Sequence, residues 1–200
     1  MTDLVLQMQT SIDGYVDSSL GVPWGLWDWG PDSPWSADLM SRFNELVTDA
    51  DAILLSRPMA DGYADHWQGI AEERAGDPDF AFARHVTDVP KLVVTSESYQ
   101  HGRSDHTVIT GPLVDGVRQA LERVDGKVIC FGGASFASAL LRAGLVDELQ
   151  LFVNPGLAGE GARIFDRALA GARWDLLDSR AYECGIAVLR WHVTGPSQRG

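Results

Sequence analysis

The sequence predicts an α/β fold: a mixed, mostly parallel central sheet flanked by helices and closed by a C-terminal antiparallel strand pair. Three observations carry this. Short apolar runs alternate with amphipathic stretches up to residue 155, the pattern of strands joined by crossover helices. Residues 126–155 read as strand, glycine turn, helix and strand in immediate succession. Residues 174–182 and 186–193 read as two strands meeting at Glu183-Cys184-Gly185, a hairpin and hence antiparallel.

Leu4 to Met8 opens the chain as a strand, and Ser11-Ile12-Asp13-Gly14 is a turn signal, after which Tyr15-Val16 resumes the strand. Residues 18–35 are rich in Gly and Pro and hold Trp24, Trp27, Trp29 and Trp35. Such a loop either covers a flat ring-shaped ligand, which the four tryptophans would stack on, or packs on the body or a partner subunit. Ser36 is suited to cap a helix over 36–47, with Asp38 in its first turn and Leu39, Phe43, Leu46 and Val47 on one face. Ala52 to Leu55 is an apolar strand ending in Ser56-Arg57-Pro58, where Pro58 suits a helix start. Residues 62–78 hold Tyr63, His66 and Trp67 and then a polar loop. A short helix over 79–88, a buried strand over 90–94 ending in Thr95-Ser96, a strand over 107–109 and a helix over 113–124 follow.

In residues 126–155, Lys127 to Phe131 reads as a buried strand and Gly132-Gly133 as the turn into a helix over 134–142, stopped by Gly144. A diglycine turn exposes backbone N–H groups at the positive end of a helix dipole, where a diphosphate can approach closely; Ser135 adds a hydroxyl. A tight turn without a ligand is the plainer alternative. In parallel sheets ligands bind beyond the carboxyl ends of the strands. Three such ends are polar here: Ser56-Arg57, Thr95-Ser96 and Gly132-Gly133. An arginine for bidentate pairing, hydroxyls for a ribose phosphate and a bare turn together suit a phosphorylated dinucleotide.

The 200 residues suffice for one domain, taken as 1–200, and the net charge is −12 with no stripe of Lys and Arg. That balance excludes a nucleic-acid surface but not an anionic cofactor in a local pocket. Cys130 and Cys184 belong to no CxxC or Cys/His cluster, so no metal site is expected. The sequence has no signal peptide and no membrane span, so a cytoplasmic protein is expected.

Four segments together resemble a known family: S-x-D-G at Ser11 to Gly14, the Ser56-Arg57 turn, P-K-x-V-V-x-S at Pro90 to Ser96, and G-G-A followed by L-L-x-x-G-L-V-D-E-L, from Gly132 to Leu149. With Pro155 and G-x-G-A-R-I-F at Gly159 to Phe165, they look like the dihydrofolate-reductase-like superfamily, in the branch of the riboflavin-biosynthesis reductase domain, RibD C-terminal. The resemblance spans about residues 4–193. It implies an oxidoreductase similar to dihydrofolate reductase or phosphoribosylaminouracil reductase, with NADPH as hydride donor, a small pteridine- or pyrimidine-like substrate and a homodimer. Its cofactor contacts map to Ser56, Arg57, Thr95, Ser96, Gly132, Gly133, Ala134 and Ser135, with Met8 and Gln9 near the nicotinamide. Asp13 maps near the substrate, and Asp38 to the helix that carries a proton donor in dihydrofolate reductases. The family's G-R-x-T turn is here Ser56-Arg57-Pro58-Met59, which lacks the threonine hydroxyl and, at Pro58, a backbone donor. A flavin-, pterin- or nucleotide-binding protein without turnover is the alternative, and a dimeric scaffold whose tryptophan loop is an interface is a third reading.

Overall fold

A computed structural model describes residues 2–26 and 34–194. The strands are β1 (Asp3–Thr10), β2 (Ala52–Ser56), β3 (Lys91–Thr95), β4 (His106–Thr110), β5 (Lys127–Cys130), β6 (Glu148–Val153), β7 (Asp175–Ala181) and β8 (Ala187–His192), in the sheet order β4-β3-β2-β5-β1-β6-β8-β7. The helices are α1 (Ala37–Thr48), α2 (Arg57–Glu73), α3 (Ala81–Asp88), α4 (Leu113–Leu121) and α5 (Ala134–Arg142).

Contacts divide the chain into two compact units, residues 1–4 with 37–130 and residues 5–36 with 131–200. In the first, β2 pairs in parallel with both β3 and β5, and β3 in parallel with β4. α2 and α3 connect β2 to β3 and α4 connects β4 to β5, whereas residues 96–105 join β3 to β4 without a helix; helical cover explains why Ile53, Leu54, Leu55, Leu92 and Val93 are almost fully buried. Phe82 is the aromatic centre, edge-on to Phe43 at 4.9 Å and to Trp67 at 5.1 Å. Asn44 on α1 fixes the start of α3: its Oδ1 accepts the Phe82 N–H at 2.7 Å, and its Nδ2 donates to the Asp79 carbonyl at 2.8 Å.

In the second unit β1 and β6 are parallel, with Gln7 opposite Gln150, whereas β8 runs antiparallel to β6 and to β7, as the hairpin reading required. Gln7 donates to Gln150 at 2.8 Å, Gln150 to Glu148 at 2.7 Å, and Arg190 forks onto Glu148 at 2.8 and 3.0 Å. This chain of bonds satisfies polar groups that would otherwise be orphaned in the sheet.

Three expectations need correction. The polar loop expected after Trp67 begins only after Glu73: α2 continues past a break where Asp61 has ψ 116° and Gly62 has φ +77°. Gly62 is free to take that conformation, and Tyr63 and Trp67 beyond it stack edge-on at 6.3 Å. Tyr15-Val16 does not resume a strand; the Ser11 N–H donates to the Tyr15 carbonyl and the Val16 N–H to that of Ala162. Ser36 does not cap α1 through its side chain, since its buried hydroxyl has no hydrogen-bond partner. The carboxylate of Asp38 instead accepts the Leu39 N–H at 3.0 Å.

Candidate functional site

Because β2, β3 and β5 are mutually parallel, Ser56, Thr95 and Cys130 end their strands on one edge of the first unit. Ser56 takes extended backbone (φ −75°, ψ 154°) before α2, without a side-chain cap bond, and Pro58 lies at the second helical position, one later than expected. Arg57 extends from the first turn, pairs with Glu97 and lies over the Tyr99 ring at 5.6 Å. Thr95 is buried, and its hydroxyl accepts the Glu97 N–H at 3.1 Å. Ser96 is exposed. Tyr99 donates to Asp61 at 2.6 Å, and that bond raises the phenol's pKa.

In the second unit, Gly132 has φ +103° and is buried, whereas Gly133 has φ +31° and is exposed. The two have different uses. A Cβ on Gly132 would stand 2.6 Å from Met8 Sδ and 2.8 Å from its Cε, so the missing side chain there makes room for Met8. A Cβ on Gly133 would meet nothing within 4 Å. The open approach to the backbone is therefore at Gly133, where α5 begins, with Ala134 and the exposed Ser135 in its first turn. The first N–H groups of a helix have no intrahelical acceptor, which suits an anion. Gln9 stands one residue beyond Met8, and its Oε1 accepts from Asn154 at 3.1 Å.

Asp13 braces a loop. Its carboxylate accepts the Ala158 N–H at 3.0 Å and the Gly159 N–H at 2.8 Å. The Ser11 hydroxyl and those two amides lower its pKa to about 2, which suits a hydrogen-bond acceptor at neutral pH. Asp38, in the first unit, is exposed on the first turn of α1. Among the tryptophans expected to stack on a substrate, Trp24 and Trp35 are buried. Trp35 stacks on Phe152 at 5.8 Å with planes 13° apart and donates its indole N–H to the Leu26 carbonyl. Trp27 and Trp29 lie outside the described residues.

Sequence reasoning missed Glu97 and Asn154. Glu97 gave a signal of sorts, an acid two residues beyond a buried strand whose neighbours were already candidates. Asn154 gave none. It is fully buried, accepts the Leu26 N–H at 2.7 Å, and donates toward Gln9 and the Thr10 and Phe152 carbonyls. Among the described residues no group of His, Cys, Asp and Glu could hold a metal ion, and no helix is long and apolar enough to cross a membrane.

A diglycine turn opening a helix, two polar strand ends on a parallel edge and an antiparallel C-terminal pair are the features of a dihydrofolate-reductase-like domain. Residues 2–188 match the RibD C-terminal domain, and the chain belongs to that family. It is 23% identical over 199 residues to the uncharacterized protein YyaP of Bacillus subtilis, covering 96% of this chain and 95% of that one. Three solved structures have a similar fold. A pyrimidine reductase-like protein of Corynebacterium diphtheriae aligns with TM-score 0.59 at 16% identity, over 97% of this chain and 92% of that one. The Saccharomyces riboflavin biosynthesis reductase Rib7 aligns with TM-score 0.56 at 15% identity, over 96% and 90%. A Thermotoga maritima deaminase/reductase aligns with TM-score 0.66 at 14% identity, over 96% of this chain but 57% of that one.

Proposed function

We propose that this chain is a reductase that takes hydride from NADPH to a small pyrimidine- or pteridine-like ring. The observation that carries the reading is the open Gly133 turn at the start of α5 in a RibD C-terminal domain, since bare helix N–H groups suit a diphosphate. Reductases of the same fold, in the relatives named above, support the reaction class. Taken unit by unit, the residues suit parts of the cofactor: in the second unit Gly133, Ala134 and Ser135 would hold a diphosphate and Met8 and Gln9 would border a nicotinamide, and in the first Arg57, Thr95 and Ser96 would hold a ribose phosphate. NADPH would supply the hydride. The protein would bind and orient, and Met8, packed on Gly132, would present an apolar side chain that keeps water away. Asp13 would shape the substrate-side loop through Ala158 and Gly159 rather than give a proton. A cytoplasmic homodimer belongs to the same proposal.

A second reading, a binding protein without turnover, is favoured by one observation: Asp13 is ionised and engaged with the loop. Calorimetry with NADPH, followed by loss of nicotinamide absorbance on adding an aminouracil or dihydropterin, tests the first reading. Binding with oxidation supports it. Binding without oxidation across such rings supports the second, and no binding of NADPH overturns the first.

A further inference from the structure

Two of the three residues suited to a ribose phosphate on the first unit, Arg57 and Thr95, are held by one residue, Glu97. Arg57 pairs with the Glu97 carboxylate, and the Thr95 hydroxyl accepts the Glu97 backbone N–H at 3.1 Å. The guanidinium also lies 5.6 Å over the Tyr99 ring, and the Tyr99 hydroxyl donates to Asp61 at 2.6 Å, so a second carboxylate stands behind the ring. Arg57 thus stands between a carboxylate and an aromatic face, aligned but already neutralised.

The Arg57 and Glu97 side chains are 45% and 68% exposed. An ion pair this open is weak and exchanges readily. A phosphate is a strong bidentate partner for arginine and can displace the carboxylate. The displaced carboxylate stays tethered beside the incoming dianion and repels it. A ribose with a free hydroxyl behaves oppositely, because a carboxylate accepts its O–H, as acidic residues do in NAD-binding folds.

We infer that Glu97 is the specificity-determining residue of this position, weakening a phosphorylated ribose relative to a plain one and narrowing the margin of NADPH over NADH. The inference rests on the dinucleotide reading above and adds the residue that sets the choice.

The test is calorimetry on the full chain and its Glu97→Gln variant, with adenosine 2′,5′-bisphosphate, adenosine 5′-monophosphate, NADPH and NADH as probes. Glu97→Gln should raise affinity for the 2′-phosphorylated probes roughly two- to fivefold, the size of an exposed charge effect, and leave the others unchanged or slightly weaker. Adding Arg57→Gln should remove the gain. Equal changes for both kinds of probe, no change, or a gain that survives Arg57→Gln would each overturn the inference. If neither dinucleotide binds yet the bisphosphate responds as stated, the dinucleotide reading fails and Glu97 still selects against the phosphate. If both dinucleotides bind with an unchanged preference, Glu97 loses its role and the dinucleotide reading stands. A bisphosphate that binds neither variant also overturns the inference.

Discussion

The Asn154 backbone N–H donates to the Thr10 carbonyl at 2.7 Å, joining the residues just past β6 and at the end of β1. The same residue's side chain is fully buried and ties in Leu26 and Gln9. Asn154→Ala removes the side-chain acceptor of the Leu26 N–H and the donor to Gln9. An unsatisfied buried group costs about 1–3 kcal/mol. Thermal denaturation should show a melting temperature lower by roughly 3–10 °C, and an unchanged melt would remove Asn154 from this role.

The glycines of the α5 turn should separate fold from binding. Gly132→Ala puts an L side chain at φ +103°, and its Cβ would push the flexible end of Met8 aside, so it should destabilise the protein by about 1–3 kcal/mol, chiefly through backbone strain. A Cβ at Gly133 meets nothing within 4 Å, so Gly133→Val should leave a folded chain, strained by its φ of +31°, that has lost NADPH affinity. Circular dichroism with a parallel NADPH titration checks both. A folded Gly133→Val protein with native affinity would place the diphosphate elsewhere.

A stability change below neutral pH should trace to His106. Its side chain is fully buried, its Nδ1 lies 3.0 Å from Asp105, its ring stacks on His101 at 3.8 Å, and its Nε2 has no partner. Burial lowers its pKa below the ordinary histidine value, against the opposing pull of Asp105. Asp105 is raised by burial, but the bonds from His106, Lys91 and Arg103 outweigh this and keep it ionised far below neutral. The buried Lys91 donates to Asp105 at 3.2 Å and to the Thr87 carbonyl at 2.6 Å. A folded-state pKa below the unfolded value means the unfolded chain binds the proton first. The stabilisation is therefore complete above about pH 6.5 and declines as pH falls from there toward the folded pKa. Denaturant melts at successive pH values should show this decline in the natural chain and a shallower one in His106→Gln. Identical slopes would exclude His106 as the cause.

Strand and helix order was legible because the apolar runs are short and Gly, Pro and hydroxyl residues stand where the chain turns. The Gly132-Gly133 turn and the C-terminal hairpin are local in sequence, and local signals need no tertiary knowledge. What was not legible depends on residues far apart in the chain. Asn154 meets Leu26 across 128 positions and Arg57 meets Glu97 across 40, and neither pairing leaves a periodic trace. The division of labour within the diglycine is similar: only the approach of Met8 shows that Gly132 serves packing and Gly133 the open side. The start of α2 was legible at Pro58 but its length was not, because the polar residues after Trp67 read as a loop, and only the structure shows the helix continuing past the break at Gly62 to Glu73.

Trp35 should behave as a core residue. It is 7% exposed and stacked on Phe152. Trp35→Ala should cost about 3–5 kcal/mol, whereas a lid residue would change ligand affinity with little effect on the melt. Urea denaturation beside a ligand titration tells these apart. A native melting curve with weakened ligand binding would return Trp35 to the substrate.

Asp13 is the residue on which a catalytic and a positioning role diverge most sharply. Its carboxylate is bound by the Ala158 and Gly159 amides, and its pKa of about 2 keeps it ionised across any ordinary assay. A lowered folded pKa contributes stability that is fully present above the unfolded aspartate value of about 4 and is lost as pH falls toward 2. Between pH 5 and 8 it therefore cannot produce a titration limb. A proton donor would show such a limb, because its protonated fraction must follow pH. Asp13→Asn keeps one acceptor oxygen but removes the charge, so the loop over 156–161 should loosen. The expected results are faster amide exchange at Ala158 and Gly159, a raised KM, and a pH–rate profile of unchanged shape. Loss of kcat together with loss of the profile's acidic limb in Asp13→Asn, with amide exchange at the loop unaltered, would make Asp13 the proton donor and overturn its role as a brace.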